Sequence, residues 1–275
     1  GYLDLDKPLT TWLSKDILKK IENAESSTLR QCMNHSTGIY DIIIDSDFYL
    51  GILNNPNKRW TQEELLKFVY GKPANFKPGD TALYSNTNTL LVSMVIESAT
   101  GRPHGELMRE KLWLPLGMQD TYYQGREDLP NYVAQGYYDL YNKQQLTNVT
   151  NIIPGSGNGY GGVFSNVYDL QKFIEGVLVK KTVLSDKSLA IMQTYGPPDE
   201  INNYGIGIMK KFNNRGINYG IGHSGRDLGY SADLFYFPEK KFFTNFFVNY
   251  GTDSDSYLRQ VFRDFENEIM DEMLK

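Results

Sequence analysis

Tyr230-Ser231-Ala232-Asp233-Leu234-Phe235-Tyr236-Phe237 and Phe242-Phe243-Thr244-Asn245-Phe246-Phe247-Val248-Asn249-Tyr250 are two runs rich in aromatic and β-branched residues. That composition fits a pleated, half-buried surface. Pro238-Glu239-Lys240 between them is a turn signal. Upstream, Tyr204 to Phe212 and Ile217 to Ile221 have the same texture and are parted by Asn213-Asn214-Arg215-Gly216. Runs of this length, closely spaced and broken by turn residues, read as an antiparallel meander. The chain then closes in a long helix, with Leu258, Val261, Phe262, Phe265, Ile269 and Met273 on one stripe. The polar face of that helix is acidic, so the stripe is expected to pack on the sheet rather than on a membrane.

Before Asn203 the signals are helical. Thr61-Gln62-Glu63-Glu64 is a capping box that opens a short helix through Leu65, Phe68 and Val69, closed by Gly71. Asn86 to Thr100 carries Leu90, Leu91, Met94 and Val95 at helical spacing and stops at Gly101. Asn166 caps a third helix, with Asp169 three residues on, and Ser185 starts a fourth through Leu189 and Met192. Helices, then strands, then a helix imply an α+β fold, an antiparallel sheet flanked by helices plus a mainly helical lobe. No linker or repeat divides the chain, so one domain is expected over 1–275, with the lobe at 26–200 and the sheet and last helix at 201–275. The chain opens at Gly1-Tyr2-Leu3-Asp4 without an initiator Met and reads as though it starts mid-domain.

Composition excludes several classes. A net charge of −5 gives no electrostatic case for nucleic acid or anionic lipid. The single cysteine, Cys32, excludes an internal disulfide and a cysteine-based zinc site. No apolar stretch approaches the ~20 residues of a membrane span, and no ligand cluster or carboxylate pair points to a metal enzyme or a glycosidase. Nothing in the pattern sets an oligomeric state.

Five segments carry a resemblance. Leu3-Asp4-Leu5-Asp6-Lys7-Pro8-Leu9 is similar to an "LDDPV" stretch, and Leu29 to Gly38 to "IRHLLTHTSG", with Ser and Thr exchanged. Lys77-Pro78-Gly79-Asp80 leads into Tyr84-Ser85-Asn86-Thr87-Asn88 much as in "PGTxFxYSNTNY". Pro115-Leu116-Gly117-Met118-Gln119-Asp120-Thr121 is close to "PLGMxDT". Gly222-His223-Ser224-Gly225 with Gly229-Tyr230-Ser231 is similar to "GHTGxxxGF/YS". By these segments, spread from Leu3 to about Tyr250, the chain resembles the serine β-lactamase and penicillin-binding-protein superfamily. The resemblance is to its class C-like branch, with D-aminopeptidases, D-Ala-D-Ala carboxypeptidases and esterases.

The resemblance implies an acyl-enzyme hydrolase with a β-lactamase/transpeptidase-like fold. It implies a small-molecule or peptide substrate (a D-amino-acid peptide, an ester or a β-lactam), no cofactor, and a site outside the cytoplasm. Its chemistry needs Ser-x-x-Lys, which puts nucleophile and lysine on one helix face. No serine of this chain has Lys three residues on. The family position of that element lies before the "LDDPV" stretch, so the nucleophile and lysine are expected upstream of Gly1, and the 275 residues alone are expected to be inactive and poorly stable.

Tyr84 then corresponds to the tyrosine that shares proton transfer with the lysine, and a neighbouring ammonium is expected to lower its pKa from about 10 by roughly 3 units. Asn86 is placed to orient the substrate amide and the lysine. His223-Ser224-Gly225 stands where other branches carry Lys-Thr-Gly, on the strand edging the cleft. There the backbone pairs with substrate and one N–H helps form the oxyanion hole. Gly225 lets a ligand approach closely, and His223 would bind a substrate carboxylate or tune Tyr84 through its charge. Tyr160 and Phe164 are candidates to face substrate from the opposite wall. His35 and Ser36 read as a structural turn beneath the site, and His104 as a surface residue. Tyr122, Tyr123, Tyr132, Tyr137, Tyr138 and Tyr141 either roof the cleft or belong to the core of the lobe.

Gly157-Asn158-Gly159-Tyr160-Gly161-Gly162 satisfies the dinucleotide fingerprint but lacks the strand–turn–helix frame and the later acidic residue. The segments around Ser36 and Ser224 each fall one residue short of a nucleophile elbow. The competing class is a non-catalytic binding protein of the same fold that keeps the cleft without a nucleophile.

Overall fold

A computed structural model describes residues 3–195, 203–251 and 258–275. The expected boundary between lobe and sheet at 200–201 lies outside the described residues. The lobe is built around the Asn86–Thr100 helix, whose Leu90, Leu91 and Val95 are fully buried. Gly101 ends it in the left-handed region, φ 66°, where a Cβ would be strained. Leu9, Leu29, Cys32, Ile42, Phe48 and Leu65 close the core around it.

The Gln62–Leu66 helix starts in the expected capping box: Thr61 accepts from Glu64 N–H while Glu64 bonds back to the Thr61 N–H. A second box, Thr28 with Gln31, opens Leu29–Met33. Its Thr-x-x-Gln signature was equally available in sequence. The Asn166 and Ser185 caps also form, opening Val167–Ile174 and Asp186–Met192. Two short antiparallel pairs interrupt the lobe, Tyr122–Tyr123 with Val163–Phe164 and Tyr137–Tyr138 with Thr147–Asn148.

The sheet is antiparallel throughout, in the order Met209–Lys211, Gly220–Asp227, Tyr230–Phe237, Phe242–Val248. Two expected strand extents need correction. Of Tyr204 to Phe212 only Met209–Lys211 is strand, because Tyr204-Gly205-Ile206-Gly207 turns back on itself, with Gly205 N–H bonded to the Ile208 carbonyl. The second strand starts at Gly220 rather than Ile217 and runs through His223-Ser224-Gly225 to Asp227. The first strand covers only Gly220–Gly222 of it. From His223 onward, no strand of the described residues pairs with that edge.

Alternation along a strand sends neighbouring side chains to opposite faces. Phe235 and Phe237 meet Met270 of the Arg259–Met273 helix on one face. On the other, Asn245 Nδ2 donates to the Val167 carbonyl, 3.1 Å, tying on the Val167–Ile174 helix. The apolar stripe expected on the last helix is also corrected. Its buried residues are Phe262, Glu266 and Met270, at i, i+4 and i+8, while Val261 and Phe265 are 61% and 51% exposed. The misreading has a chemical cause: the middle buried position is an acid. Lys211 Nζ lies 2.6 Å from both Glu266 oxygens and 3.1 Å from Asp233, and Arg226 reaches Asp233 at 2.8 Å. Burial, with Asp233 beside it, raises the Glu266 carboxyl to about 7.

Candidate active site

Tyr84 lies in the extended stretch immediately before the Asn86–Thr100 helix. What fixes it is a zipper between 35–42 and 83–88. Leu83 N–H donates to the His35 carbonyl (2.9 Å), Ser85 N–H to His35 Nδ1 (3.2 Å) and Asn86 N–H to Asp41 Oδ1 (2.9 Å). Thr87 Oγ1 bonds to the Tyr40 carbonyl and Thr37 Oγ1 to Asn88 Oδ1, both 2.7 Å. The polar Asn-Thr-Asn run at the helix start is thereby used up: Thr87 satisfies the Tyr40 carbonyl and the Ile42 N–H, while Asn88 bonds the Thr37 hydroxyl. Asn86 is part of this: its Nδ2 points at both Asp41 oxygens, 3.2 and 3.1 Å.

Four rings meet above the zipper. His35 stacks on Tyr84, and Tyr204 stands edge-on to both, with centroids 4.7 Å from His35 and 5.7 Å from Tyr84. His223 arrives from the sheet with its ring 6.2 Å from Tyr84 and 5.5 Å from Tyr204. Its Nδ1 lies 2.6 Å from the Ser224 carbonyl, and its Nε2 is hydrogen-bonded to the Tyr204 hydroxyl. A carbonyl only accepts, so Nδ1 carries the hydrogen, Nε2 accepts, and Tyr204 donates.

Within these residues the Tyr84 phenol is pushed up to about 12, by burial first and then by the Asp41 charge; the expected lowering belongs to a Ser-x-x-Lys lysine, an element that the 275 residues do not contain. Burial also holds His223 below the ordinary histidine range. Within this chain it is a neutral hydrogen-bonded ring rather than a cation awaiting a carboxylate. His35 is held down to about 3 by burial and by His223 beside it.

Of the residues expected at the site, Tyr84 and His223 converge, while the Asn86 side chain is taken up by Asp41. Ser224 faces the other side of the sheet, opposite Asp233, where its side chain lines a cavity of about 360 Å³ with Lys211, Phe212, Arg226, Arg263 and Glu266. Gly225 is exposed on the strand edge that no described strand covers. Tyr160 is set in the facing loop, its hydroxyl bonded to the Pro154 carbonyl at 3.2 Å. Burial, Asp227 and Asp41 all raise its phenol well above the ordinary value. A Cβ on the neighbouring Gly161 would sit 3.6 Å from Asp227 Oδ2, so this loop comes up to the far end of the His223 strand. It leads into strand Val163–Phe164, not a helix, which removes the dinucleotide frame.

Sequence reasoning missed two members. His35 was read as a turn residue, and it is one, at φ 57°, but its ring is the floor under Tyr84. Tyr204 was read as the start of a strand; the available signal was Tyr-Gly-x-Gly, which favours a turn. His104 is corrected from surface to buried, at 4% exposed. The tyrosines divide: Tyr123 is core, whereas Tyr132 and Tyr141 are exposed. Among the described residues no group of His, Cys, Asp and Glu could hold a metal, and no helix is long and apolar enough to cross a membrane.

The family model for Beta-lactamase matches residues 1–263, and the chain belongs to that family. It is 26% identical over 227 residues to Penicillin-binding protein 4* of Bacillus subtilis, covering 74% of this chain and 47% of that protein. It is also 26% identical over 179 residues to the D-alanyl-D-alanine-carboxypeptidase/endopeptidase AmpH of Escherichia coli, covering 65% and 43%. The chain thus spans about half the length of these curated relatives. Among solved structures, a D-stereospecific amidohydrolase from Streptomyces sp. superposes with a TM-score of 0.83 at 28% identity, covering 91% of this chain and 76% of that one. The fold is therefore the β-lactamase/transpeptidase-like α+β fold, and the relatives are hydrolases of that fold.

Proposed function

We propose that the protein is a serine hydrolase working through an acyl-enzyme on a D-amino-acid peptide, an ester or a β-lactam. The observation that carries this reading is the meeting of Tyr84 from the lobe and His223 from the sheet, 6.2 Å between rings, beside a strand edge that no strand of the described residues covers from His223 on. A strand edge that no neighbouring strand covers offers backbone groups to a substrate chain, and an N–H on it near Gly225 would face the developing oxyanion. Ser224 would contribute through its backbone and Tyr160 through the facing wall.

The reading needs a Ser-x-x-Lys element from outside these 275 residues, since none occurs within them. It also gives that lysine a definite task. Bringing Tyr84 from about 12 to a base useful near pH 7 takes roughly 5 units, about 7 kcal/mol, at 1.36 kcal/mol per unit. An ammonium at hydrogen-bond distance in a buried site is the kind of group that supplies it. Asn86, anchored on Asp41, would hold the lysine and the substrate amide in register. His223, neutral and bonded to Tyr204, would act by fixing the ring cluster rather than by charge. We assign this chemistry to the outside of the cytoplasm, following the family resemblance.

The test is Tyr84→Phe in a form that carries the nucleophile. Acylation by a β-lactam, followed as a burst, is expected to fall by about 10²–10⁴-fold, the range for a lost general base. Acylation at the wild-type rate would overturn the role. Unchanged ligand affinity with no acylation in either form would favour a binding protein.

A further inference from the structure

Outside the ring cluster, the lobe holds a second buried chain of polar groups that the proposed chemistry does not use. Glu97 Oε1 lies 2.6 Å from His104 Nδ1 and accepts from the His104 backbone N–H at 3.1 Å. A carboxylate only accepts, so Nδ1 carries a hydrogen. His104 Nε2 is 2.9 Å from the Tyr123 hydroxyl, and the Tyr123 oxygen accepts from Gly159 N–H, also at 2.9 Å. His104 and Tyr123 are almost completely buried.

The chain of bonds starts on one helix and ends on the loop that faces it. Glu97 belongs to Asn86–Thr100, the helix whose first residue is Asn86. Gly159 sits on the same helix at φ +96°, where a Cβ would lie 2.5 Å from the Thr89 carbonyl oxygen and 2.7 Å from Ser93 Cβ. Only glycine lets the backbone come this close. Ser93 Oγ stands 3.1 Å from the Asn158 carbonyl, and Arg126 donates to the Gly157 carbonyl (2.6 Å) and to Asn158 Oδ1 (2.8 Å). The loop is thus held from beneath by Ser93 and from the side by Arg126, while Tyr123 takes up the amide of the residue just before Tyr160.

We infer that Glu97, His104 and Tyr123 form a relay that sets the 157–162 loop against the cleft, which makes His104 and Tyr123 positioning residues for the substrate wall carrying Tyr160. The inference rests on reading that loop as the wall of the site. Its consequence is geometric. One rigid helix fixes Asn86 at its first turn and Gly159 through its Ser93 and Glu97 turns, so Tyr84 and Tyr160 keep a constant separation across the cleft. Breaking the relay releases the wall without touching the reacting groups.

Two readouts test it. The first is amide hydrogen exchange on the form that carries the nucleophile, for wild type, Tyr123→Phe, His104→Leu and His104→Gln. Tyr123→Phe and His104→Leu are expected to speed exchange at Gly159 by about tenfold, with the Val95 amide unchanged. His104→Gln, which keeps an acceptor for Tyr123, is expected to restore protection to within about twofold. The second is turnover of a β-lactam by a form carrying the nucleophile. There Tyr123→Phe should raise KM by about fivefold and leave kcat within about twofold. Unchanged exchange at Gly159, or equal acceleration at Gly159 and Val95, would overturn the relay. A fall in kcat at constant KM would overturn the positioning role. If wild type turns over no substrate, the functional reading fails while the exchange result still decides the relay.

Discussion

The imidazole of His35 lies flat on the phenol of Tyr84, ring centroids 4.1 Å apart and planes 26° from parallel. The same imidazole accepts the Ser85 N–H through Nδ1, so one side chain sets both the height of Tyr84 and the path of the backbone that carries it. His35→Phe keeps a ring under Tyr84 and leaves the Ser85 N–H without an acceptor. A stranded buried donor costs about 1–3 kcal/mol, and urea denaturation should show a loss of that size. An unchanged midpoint would mean that the Ser85 bond contributes nothing.

His35 and Glu266 act on stability in opposite directions as pH changes. The folded His35 titrates at about 3 against 6.5 for the free side chain, so the unfolded chain takes up its proton first. Stability is therefore lost as pH falls below 6.5, by up to about 1.4 kcal/mol per pH unit. Glu266 is raised to about 7 from 4.5. Its contribution is present below 4.5 and is lost as pH rises through 7. In Glu266→Gln the loss on the alkaline side should shrink by about 1–2 kcal/mol between pH 5 and 8. Thermal melts across that range would read it. Parallel pH profiles for wild type and variant would contradict the assignment.

Tyr204 donates to His223 Nε2 and so stabilises the neutral ring. Tyr204→Phe removes that donor, and the His223 titration should move upward, toward the ordinary histidine value, when followed by the ring-proton NMR shifts. A downward or absent shift would show that burial alone holds His223 neutral.

Most of the fold was legible because its signals are local. The Thr61 box, the Asn166 and Ser185 caps and the Gly101 stop each depend on a few adjacent residues. The same is true of the aromatic strand Tyr230–Phe237, whose bounds agree with the structure. Misreadings fell where a distant partner decides. Glu266 is buried because Lys211, 55 residues earlier, neutralises it. His104 is buried because Glu97 and Tyr123 satisfy both ring nitrogens. At the candidate site, the meeting of Tyr84 with His223 was suggested by motif resemblance. The burial of Tyr84 and the Asp41 charge beside it were not, because sequence spacing does not reveal them.

The most direct measurement is intact mass after incubation with a penicillin and, separately, with a fluorophosphonate. It is made on residues 1–275 and on a form extended upstream far enough to include a Ser-x-x-Lys element. The account predicts a covalent adduct on the extended form alone, mapped to the serine of that element. An adduct on a serine within 1–275, or on neither form, would contradict it.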